Sequence, residues 1–396
     1  MTERQLHSRP PLRARVNGAG PSGALAALAL ARAGWQVQLV DPLDPARLAD
    51  RSRAYALTHS SRRLLQELGL WTELLPHLAP FRRLELCDRA VHRRVGFSGS
   101  DLPRRHRAGP ADPVGWILQH RPLMAALHRS LGREPGIRLS LGSDHDPGPP
   151  APEAHPVDLL VAADGHHSPT RGSAGLRSPG FLYRQGCLTV QVRLRGSAPD
   201  QAWELFRPEG PFAVLPLGGD AFQLVWSAPL PRLQALQNLE GSAFLDALSA
   251  ALPEHLQAEA LLDQPRAWPV GWSLAWPLRR GRLVLLGEAA HRCHPVGGQG
   301  LNLCWRDVAV LAELAGRCAS GSFPPADLPG RYARRRWSDI VTVLLFTDAL
   351  VRLFSNRCAP LLPLRHLALA LLQRSPGLRR LSLALMTDSP CLRRVS

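Results

Sequence analysis

Arg15-Val16-Asn17-Gly18-Ala19-Gly20-Pro21-Ser22-Gly23 is followed by an Ala/Leu run from Ala24 to Ala33, by Gly34, and by Trp35-Gln36-Val37-Gln38-Leu39-Val40-Asp41. The order reads as strand, glycine turn, helix, strand and acid. Gly18 makes the tight turn, Gly20 lets the backbone approach a pyrophosphate, and Gly23 lets the helix pack on the strand. Asp41 stands where a ribose hydroxyl partner is expected, about 20 residues on. A lone G-x-G-x-x-G is a weak signal. In this context it predicts a dinucleotide-binding βαβ unit. Asn17 departs from the apolar residue or glycine that usually ends such a strand.

A second glycine stretch lies far downstream. An apolar strand over 282–286 runs into Gly287-Glu288-Ala289-Ala290-His291, then His294-Pro295-Val296-Gly297-Gly298-Gln299-Gly300-Leu301-Asn302, where an amphipathic helix opens near Leu301. Glycines at a strand-to-helix turn bring backbone N–H groups close to a ligand. The carboxylate of Glu288 suits a ribityl or ribose diol. Between the two stretches, the run Val157 to Ala163 reads as a buried strand ending in Asp164-Gly165, with Ser168 and Arg171 beyond. Alone, Asp-Gly after a strand is only a turn; its place between two glycine motifs gives it weight.

The order G-x-G-x-x-G, then Asp-Gly, then Gly-acid-Ala-Ala-His…Pro…Gly-x-Gly-x-Asn resembles the single-component FAD-dependent aromatic hydroxylases, and among them the ubiquinone-biosynthesis (2-polyprenylphenol) hydroxylases. Further similar segments are Arg53-Ala54-Tyr55-Ala56-Leu57, Leu68 to Trp71, Gly115 to Leu123 with Arg121, Phe206 to Leu217 with Leu224 to Trp226, and Asp348 to Ser355. The resemblance implies an α/β, p-hydroxybenzoate hydroxylase-like fold: a Rossmann-like FAD-binding domain, an inserted antiparallel-sheet substrate domain and a helical C-terminus. It implies FAD as cofactor, NAD(P)H as transient reductant, and a flavin C4a-hydroperoxide that hydroxylates a polyprenylated phenol or quinol of the ubiquinone or plastoquinone type. It assigns cofactor contacts to Gly18, Gly20, Gly23, Asp41, Arg53, Arg121, Asp164, Gly165, Gly287, Glu288, Pro295, Gly298, Gly300, Leu301 and Asn302. The backbone of Pro295, Gly297 and Gly298 is expected against the flavin ring. No side chain is identifiable as a catalytic acid or base. Glu288 departs from the family's Asp, and the Pro/Gly/His-rich stretch 144–156 reads as a loop where the family has a longer strand-forming segment.

Chain organisation follows from these marks. Residues 1–80, 114–178 and 270–330 are assigned to the FAD-binding domain, 81–113 and 180–269 to the substrate domain, and 331–396 to the helical region. Cys187 to Leu194, Phe212 to Leu217 and Phe222 to Trp226 alternate as strands, with Gly218-Gly219-Asp220 as a turn. Leu230 to Leu262 is helical in pattern.

The 396 residues carry a net charge of +16, with no lysine, so the basic charge is arginine. Such a surface favours anionic membranes or nucleic acid, but no nucleic-acid-reader pattern is present. Seven scattered cysteines without a C-x-x-C pair read as reduced thiols in a cytoplasmic protein. The polar, Arg-rich N-terminus has no signal-peptide core. His291 and His294 lack a third ligand, so no metal is expected. The apolar runs after Ser338 are shorter than the roughly 20 residues of a membrane span. They read as helices on the flavin domain or as a peripheral face on the inner side of the membrane. The rival readings are a non-catalytic flavoprotein partner of other quinone-biosynthesis proteins, an FAD-dependent isoprenoid reductase, and a halogenase. The block Phe206 to Leu217 argues against the last two, and Trp272 to Pro277 does not fit a halogenase's Trp-x-Trp-x-Ile-Pro.

Overall fold

The computed structural model describes residues 10–106, 112–142 and 157–388. The loop expected at 144–156 lies outside the described residues.

The first expectation holds in detail. The strand Arg13–Asn17 buries Ala14 and Val16 by alternation. It pairs in parallel with Gln36–Asp41 on one side and with Leu159–Ala162 on the other. The sheet's order is Arg279–Arg280, Leu283–Leu285, Leu159–Ala162, Arg13–Asn17, Gln36–Asp41, Ile137–Leu141, parallel except at the first strand. The helix Pro21–Arg32 starts with proline at its first position, where no amide hydrogen is needed. It is buried from Gly23 to Ala31 because the sheet covers one side and the long helix Gln299–Ala319, which opens at the second glycine motif, packs on the other. Each fully buried leucine in this helix contributes roughly 1.5–3 kcal/mol.

The second sheet runs His291–Arg292, Arg266–Leu274, Gly180–Arg195, Ala221–Pro229, Phe212–Gly218, Gln201–Phe206, Arg83–Asp88, Arg93–Ser98, with Gln257–Leu261 also on Gly180–Arg195. Its pairings are antiparallel except Gln201–Phe206 with Arg83–Asp88. Ala54–Leu57, Gly115–Gln119 and Leu78–Phe81 form a separate three-stranded antiparallel sheet.

One expectation about local structure changes. Leu230 to Leu262 is not helical throughout: the helices Leu230–Gln237 and Gly241–Ala251 give way to the strand Gln257–Leu261, which finds a free edge on Gly180–Arg195. Arg266–Leu274 stays paired with Gly180–Arg195, and after the strands Arg279–Arg280 and Leu283–Leu285 of the first sheet the chain rejoins the second at His291–Arg292. The boundary at 330 falls inside the helix Leu328–Phe354, whose buried face is continuous across it.

The helices Leu328–Phe354, Leu362–Arg374 and Pro376–Thr387 close one side of the molecule. No helix among the described residues is long and apolar enough to cross a membrane.

Candidate cofactor and substrate site

A cavity of about 1830 Å³ lies between the carboxyl ends of the parallel strands and the second sheet. A small-ligand pocket is usually about 300–1,000 Å³, so this one has room for a dinucleotide and a second molecule. Gly18, Gly20, Asp41, Arg53, Asp164, Gly165, Glu288, Pro295, Gly297, Gly298, Gly300 and Leu301 all line it.

The glycine turn fits a pyrophosphate cradle. A Cβ on Gly18 would lie 2.4 Å from the Ala163 carbonyl oxygen, and one on Gly23 would lie 1.8 Å from that of Gly18. A Cβ on Gly20 would meet nothing within 4 Å. Gly18 and Gly23 are therefore packing glycines, and Gly20 faces open space. Asp41 accepts from the backbone N–H of Ala19 at 2.7 Å and of Leu43 at 2.8 Å, which braces the turn. Asp164 accepts from Thr170 N–H at 3.0 Å and from the Ser168 hydroxyl. Asn17 is satisfied locally: its amide donates to Thr170 Oγ1 at 2.9 Å and its oxygen accepts from Arg15 Nε at 3.1 Å. That pairing answers the irregularity seen in the sequence.

The Pro-Gly loop, Pro295 to Gly298, turns through two successive left-handed residues, Gly297 (φ 67°) and Gly298 (φ 62°). Only glycine adopts this at little cost. The helix Gln299–Ala319 starts here, and its unpaired N–H groups and dipole favour a negative group. Asn302 is nearly fully buried and outside the cavity lining. Its amide donates to the carbonyls of Ala56 at 2.7 Å and Gly298 at 2.8 Å, and its oxygen accepts from Ser61 at 2.7 Å and Thr58 N–H at 3.0 Å. It clamps the loop to the strand Ala54–Leu57.

Behind the loop runs a buried chain of charges that the sequence reading missed. Asp307 Oδ2 receives His291 Nε2 at 2.8 Å and Gly287 N–H at 2.9 Å, and Asp307 Oδ1 receives Arg336 Nε at 2.5 Å. Arg336 also donates to Asp339 at 2.6 Å, and Arg306 donates to the Met386 carbonyl at 2.7 Å. Burial alone raises the carboxyl of Asp307; Arg336 and His291 outweigh it and hold it below the usual range. The available signal was Arg306-Asp307 inside the continuously buried run Asn302 to Val308 of this helix. His294 is buried, and desolvation pushes it down to about 3, so it is neutral.

Arg121 is not brought to the cavity: its exposed guanidinium lies 3.6 Å from Asp50. Gly23 and Gly287 shape the backbone without lining the cavity. Glu288 lines it with a half-exposed side chain, 3.9 Å from His166. Arg53 rests over the Trp268 ring at 4.8 Å. Among the described residues, no group of three His, Cys, Asp or Glu side chains is placed to hold a metal.

Past the Pro-Gly loop the cavity becomes apolar. Leu84, Leu86, Phe97 and Phe206 of the second sheet face Leu350, Leu353, Phe354, Leu369, Leu372 and Leu383 of the C-terminal helices. Phe206 and Phe354 stack with centroids 4.2 Å apart. Cofactor cradle and apolar corridor are one continuous space.

Comparison with known proteins agrees with this geometry. The chain is 34% identical over 389 residues to "Ubiquinone hydroxylase UbiL" of Rhodospirillum rubrum, covering 91% of this chain and 85% of the relative. It is 29% identical to the "3-demethoxyubiquinol 3-hydroxylase" of Escherichia coli, covering 92% and 95%. Its fold matches that of p-nitrophenol 4-monooxygenase PnpA from Pseudomonas putida with a TM-score of 0.75, over 97% of this chain and 99% of that one, at 18% identity. The family described as "FAD binding domain" matches residues 13–109 and 155–333, and the chain belongs to it.

Proposed function

We propose that this FAD-dependent monooxygenase hydroxylates the aromatic ring of a polyprenylated phenol or quinol in ubiquinone biosynthesis, with NAD(P)H as transient reductant and O2 as oxidant. The observation that carries the reading is the continuity of a dinucleotide-sized cradle with a long apolar corridor. A ring at the Pro-Gly loop would leave its prenyl chain among Leu84, Leu86, Leu353, Phe354 and Leu383. The names of the Rhodospirillum and Escherichia relatives support the same substrate class.

Bound FAD would supply the activation of O2 that a closed-shell ring cannot achieve. The chain's own residues do the rest. Gly20 would let the backbone approach the pyrophosphate at the turn that Gly18 makes, Asp41 and Glu288 would offer carboxylates to hydroxyls, Asp164 and Gly165 would shape the turn between them, and the N–H groups of Gly297 to Gly300 would lie toward the ring. The apolar corridor excludes water from the reacting centre.

The same helices suggest how a water-insoluble substrate arrives. Leu364, Leu367 and Leu371 on one helix, and Leu378, Leu381 and Leu385 on the next, recur at i, i+3, i+7 and are exposed. Their opposite faces supply Leu369, Leu372 and Leu383 to the corridor. These two leucine stripes, on a chain of net charge +16, fit a cytoplasmic enzyme docked peripherally on an anionic bilayer. Truncation after Ser338 would remove Asp339 from the buried charge chain, so surface substitutions are the cleaner probe.

The test is purification, release and identification of the flavin, then NAD(P)H oxidation with and without a short-chain 2-prenylphenol. Substrate-stimulated oxidation with a hydroxylated product supports the reading. Bound FAD without substrate stimulation would instead favour a flavoprotein scaffold. Flotation with anionic liposomes should be lost when Leu367, Leu371 and Leu381 become serine.

A further inference from the structure

Glu204 sits in the strand Gln201–Phe206. Side chains alternate along a strand. Trp203 and Leu205 join the core behind the sheet, and Ala202, Glu204 and Phe206 line the cavity. The register carries that face across the sheet: Glu204 lies between Leu86 and Ala213, and Ala213 continues through Val225 to Thr189. From Val95 to Thr189 the row carries Glu204 as its one charged group; the next position beyond Thr189 is the exposed Arg266.

Glu204 is 8% exposed. Among the described residues no ion pair involves it, and the neighbour that favours its charged form is the backbone N–H of Gly297, in the Pro-Gly loop. The surrounding elements add little charge. Arg83–Asp88 presents Leu84 and Leu86 on this face and turns Glu85 to the other, where it accepts from Gln201. Phe212–Gly218 and Pro295 to Gly298 carry no titratable side chain. Gly180–Arg195 brings Cys187, whose thiol burial pushes up to about 12, and Arg53 lies beyond it over Trp268. Burial without a counter-charge raises the Glu204 carboxyl to about 7, with Gly297 N–H pulling the other way. A group balanced there exchanges protons readily at neutral pH.

We propose that Glu204 is the proton acceptor for the ring hydroxyl of the substrate, holding that hydroxyl beside the Pro-Gly loop. This rests on the hydroxylase reading above and names a catalytic side chain for it. As the ring carbon forms its C–O bond, the hydroxyl O–H bond breaks, its electron pair moves into the ring, and the proton passes to Glu204. One oxygen atom of O2 ends on the ring and the other in water, with NAD(P)H supplying two electrons. The ring rearomatises by losing its C–H proton to water, Glu204 returns its own proton to the ring oxygen and is again a carboxylate, and one solvent proton, with the hydride of NAD(P)H, completes the water formed.

Glu204→Gln tests the assignment, because the amide oxygen still accepts from Gly297 N–H but takes no proton. Two readouts are compared at pH 5.5 to 8.5 with a short-chain 2-prenylphenol: its Kd for the FAD-loaded protein without reductant, and kcat/KM. In the wild type, both binding and kcat/KM should weaken as pH falls through about 7. In the variant, with FAD content unchanged, both profiles should lose that limb, and kcat/KM at pH 8 should fall on the order of 10²-fold. A variant that keeps the wild-type limb and rate overturns the role of Glu204 alone. A wild type whose Kd shows no limb near neutrality overturns it without any variant. A wild type that neither binds nor turns over prenylated phenols overturns both this proposal and the hydroxylase reading.

Discussion

Asp307, in the helix behind the six-stranded sheet, and Glu204, on the second sheet, are both buried carboxylates. Asp307 meets Arg336, His291 and the Gly287 N–H. Glu204 meets one backbone N–H. The same desolvation thus ends in opposite shifts, down for Asp307 and up to about 7 for Glu204. On the cofactor side the carboxylate of Asp307 is met by two cationic side chains and a backbone N–H, so the charge fixes the shape of a turn. On the substrate side the Glu204 carboxyl is buried in the cavity wall without a cation beside it, so it is left able to exchange a proton with a bound group.

The largest effect expected from this contrast is at Asp307. Asp307→Asn leaves Arg336 buried beside a neutral partner, and breaking such a pair costs about 3–5 kcal/mol. Denaturant unfolding at pH 7 should show it. Because the carboxyl is held low, its stabilisation is complete above the unfolded carboxylate range and is lost as pH falls through the folded value. A loss below about 1 kcal/mol would mean that the charge chain is not structural, and the comparison would collapse.

Glu204→Gln should act in the opposite direction. A carboxyl raised to about 7 is stabilising only while protonated, and that contribution disappears as pH rises from the unfolded range, near 4.5, through 7. The variant should therefore be more stable than the wild type at pH 8.5, by up to roughly 3 kcal/mol, with the gap closing toward pH 5. Equal denaturation midpoints at both pH values would show that water or a neighbour already satisfies the group.

Gly23→Ala probes the cradle by steric means. The new Cβ would meet the Gly18 carbonyl oxygen at 1.8 Å. Overpacking of this kind costs about 1–3 kcal/mol, and the displaced turn should lower FAD affinity by roughly 10- to 100-fold. Gly20→Ala, which meets no protein atom, should leave apo stability unchanged and reduce FAD binding alone. Fluorescence titration with FAD, beside thermal unfolding of the apoprotein, separates the two. Unchanged FAD affinity in both would remove the pyrophosphate from this turn.

The two halves were unequally legible from sequence. Gly18, Gly20 and Gly297 announce themselves because a turn with close backbone approach leaves few residue choices, and the choice is local in the chain. Asn302 was found for its place in the motif, but its side chain holds the loop to Ala56 rather than facing the cavity. Arg121 was found by likeness alone, and the fold turns it outward to Asp50. Glu204 could not be found this way. One acid in a strand reads as a solvent-facing position, and only the pairing with Leu86 and Ala213 shows that its face is indoors. Arg336 and Asp339 pair with Asp307 and Arg306 from a different helix, a relation that no local pattern encodes.

Glu288 is the position where the comparison can be sharpened most finely. It belongs to the cofactor side, yet like Glu204 it is not locked by an internal cation: its side chain is 54% exposed and its ion-pair distance to His166 is a long 3.9 Å. If it accepts from a hydroxyl of the cofactor, Glu288→Ala should lower FAD affinity by about 1 kcal/mol, or roughly fivefold, without altering apo stability. Glu288→Asp shortens the reach by about 1.5 Å, one C–C bond, and should retain FAD as well as the wild type or better. Titration of the three apoproteins with FAD decides it. An alanine variant that holds FAD as tightly as the wild type would make Glu288 a solvated surface acid. The cradle would then bind by shape and backbone N–H groups at this end, and Glu204 would be left as the carboxyl through which the apolar side of the cavity meets a substrate hydroxyl.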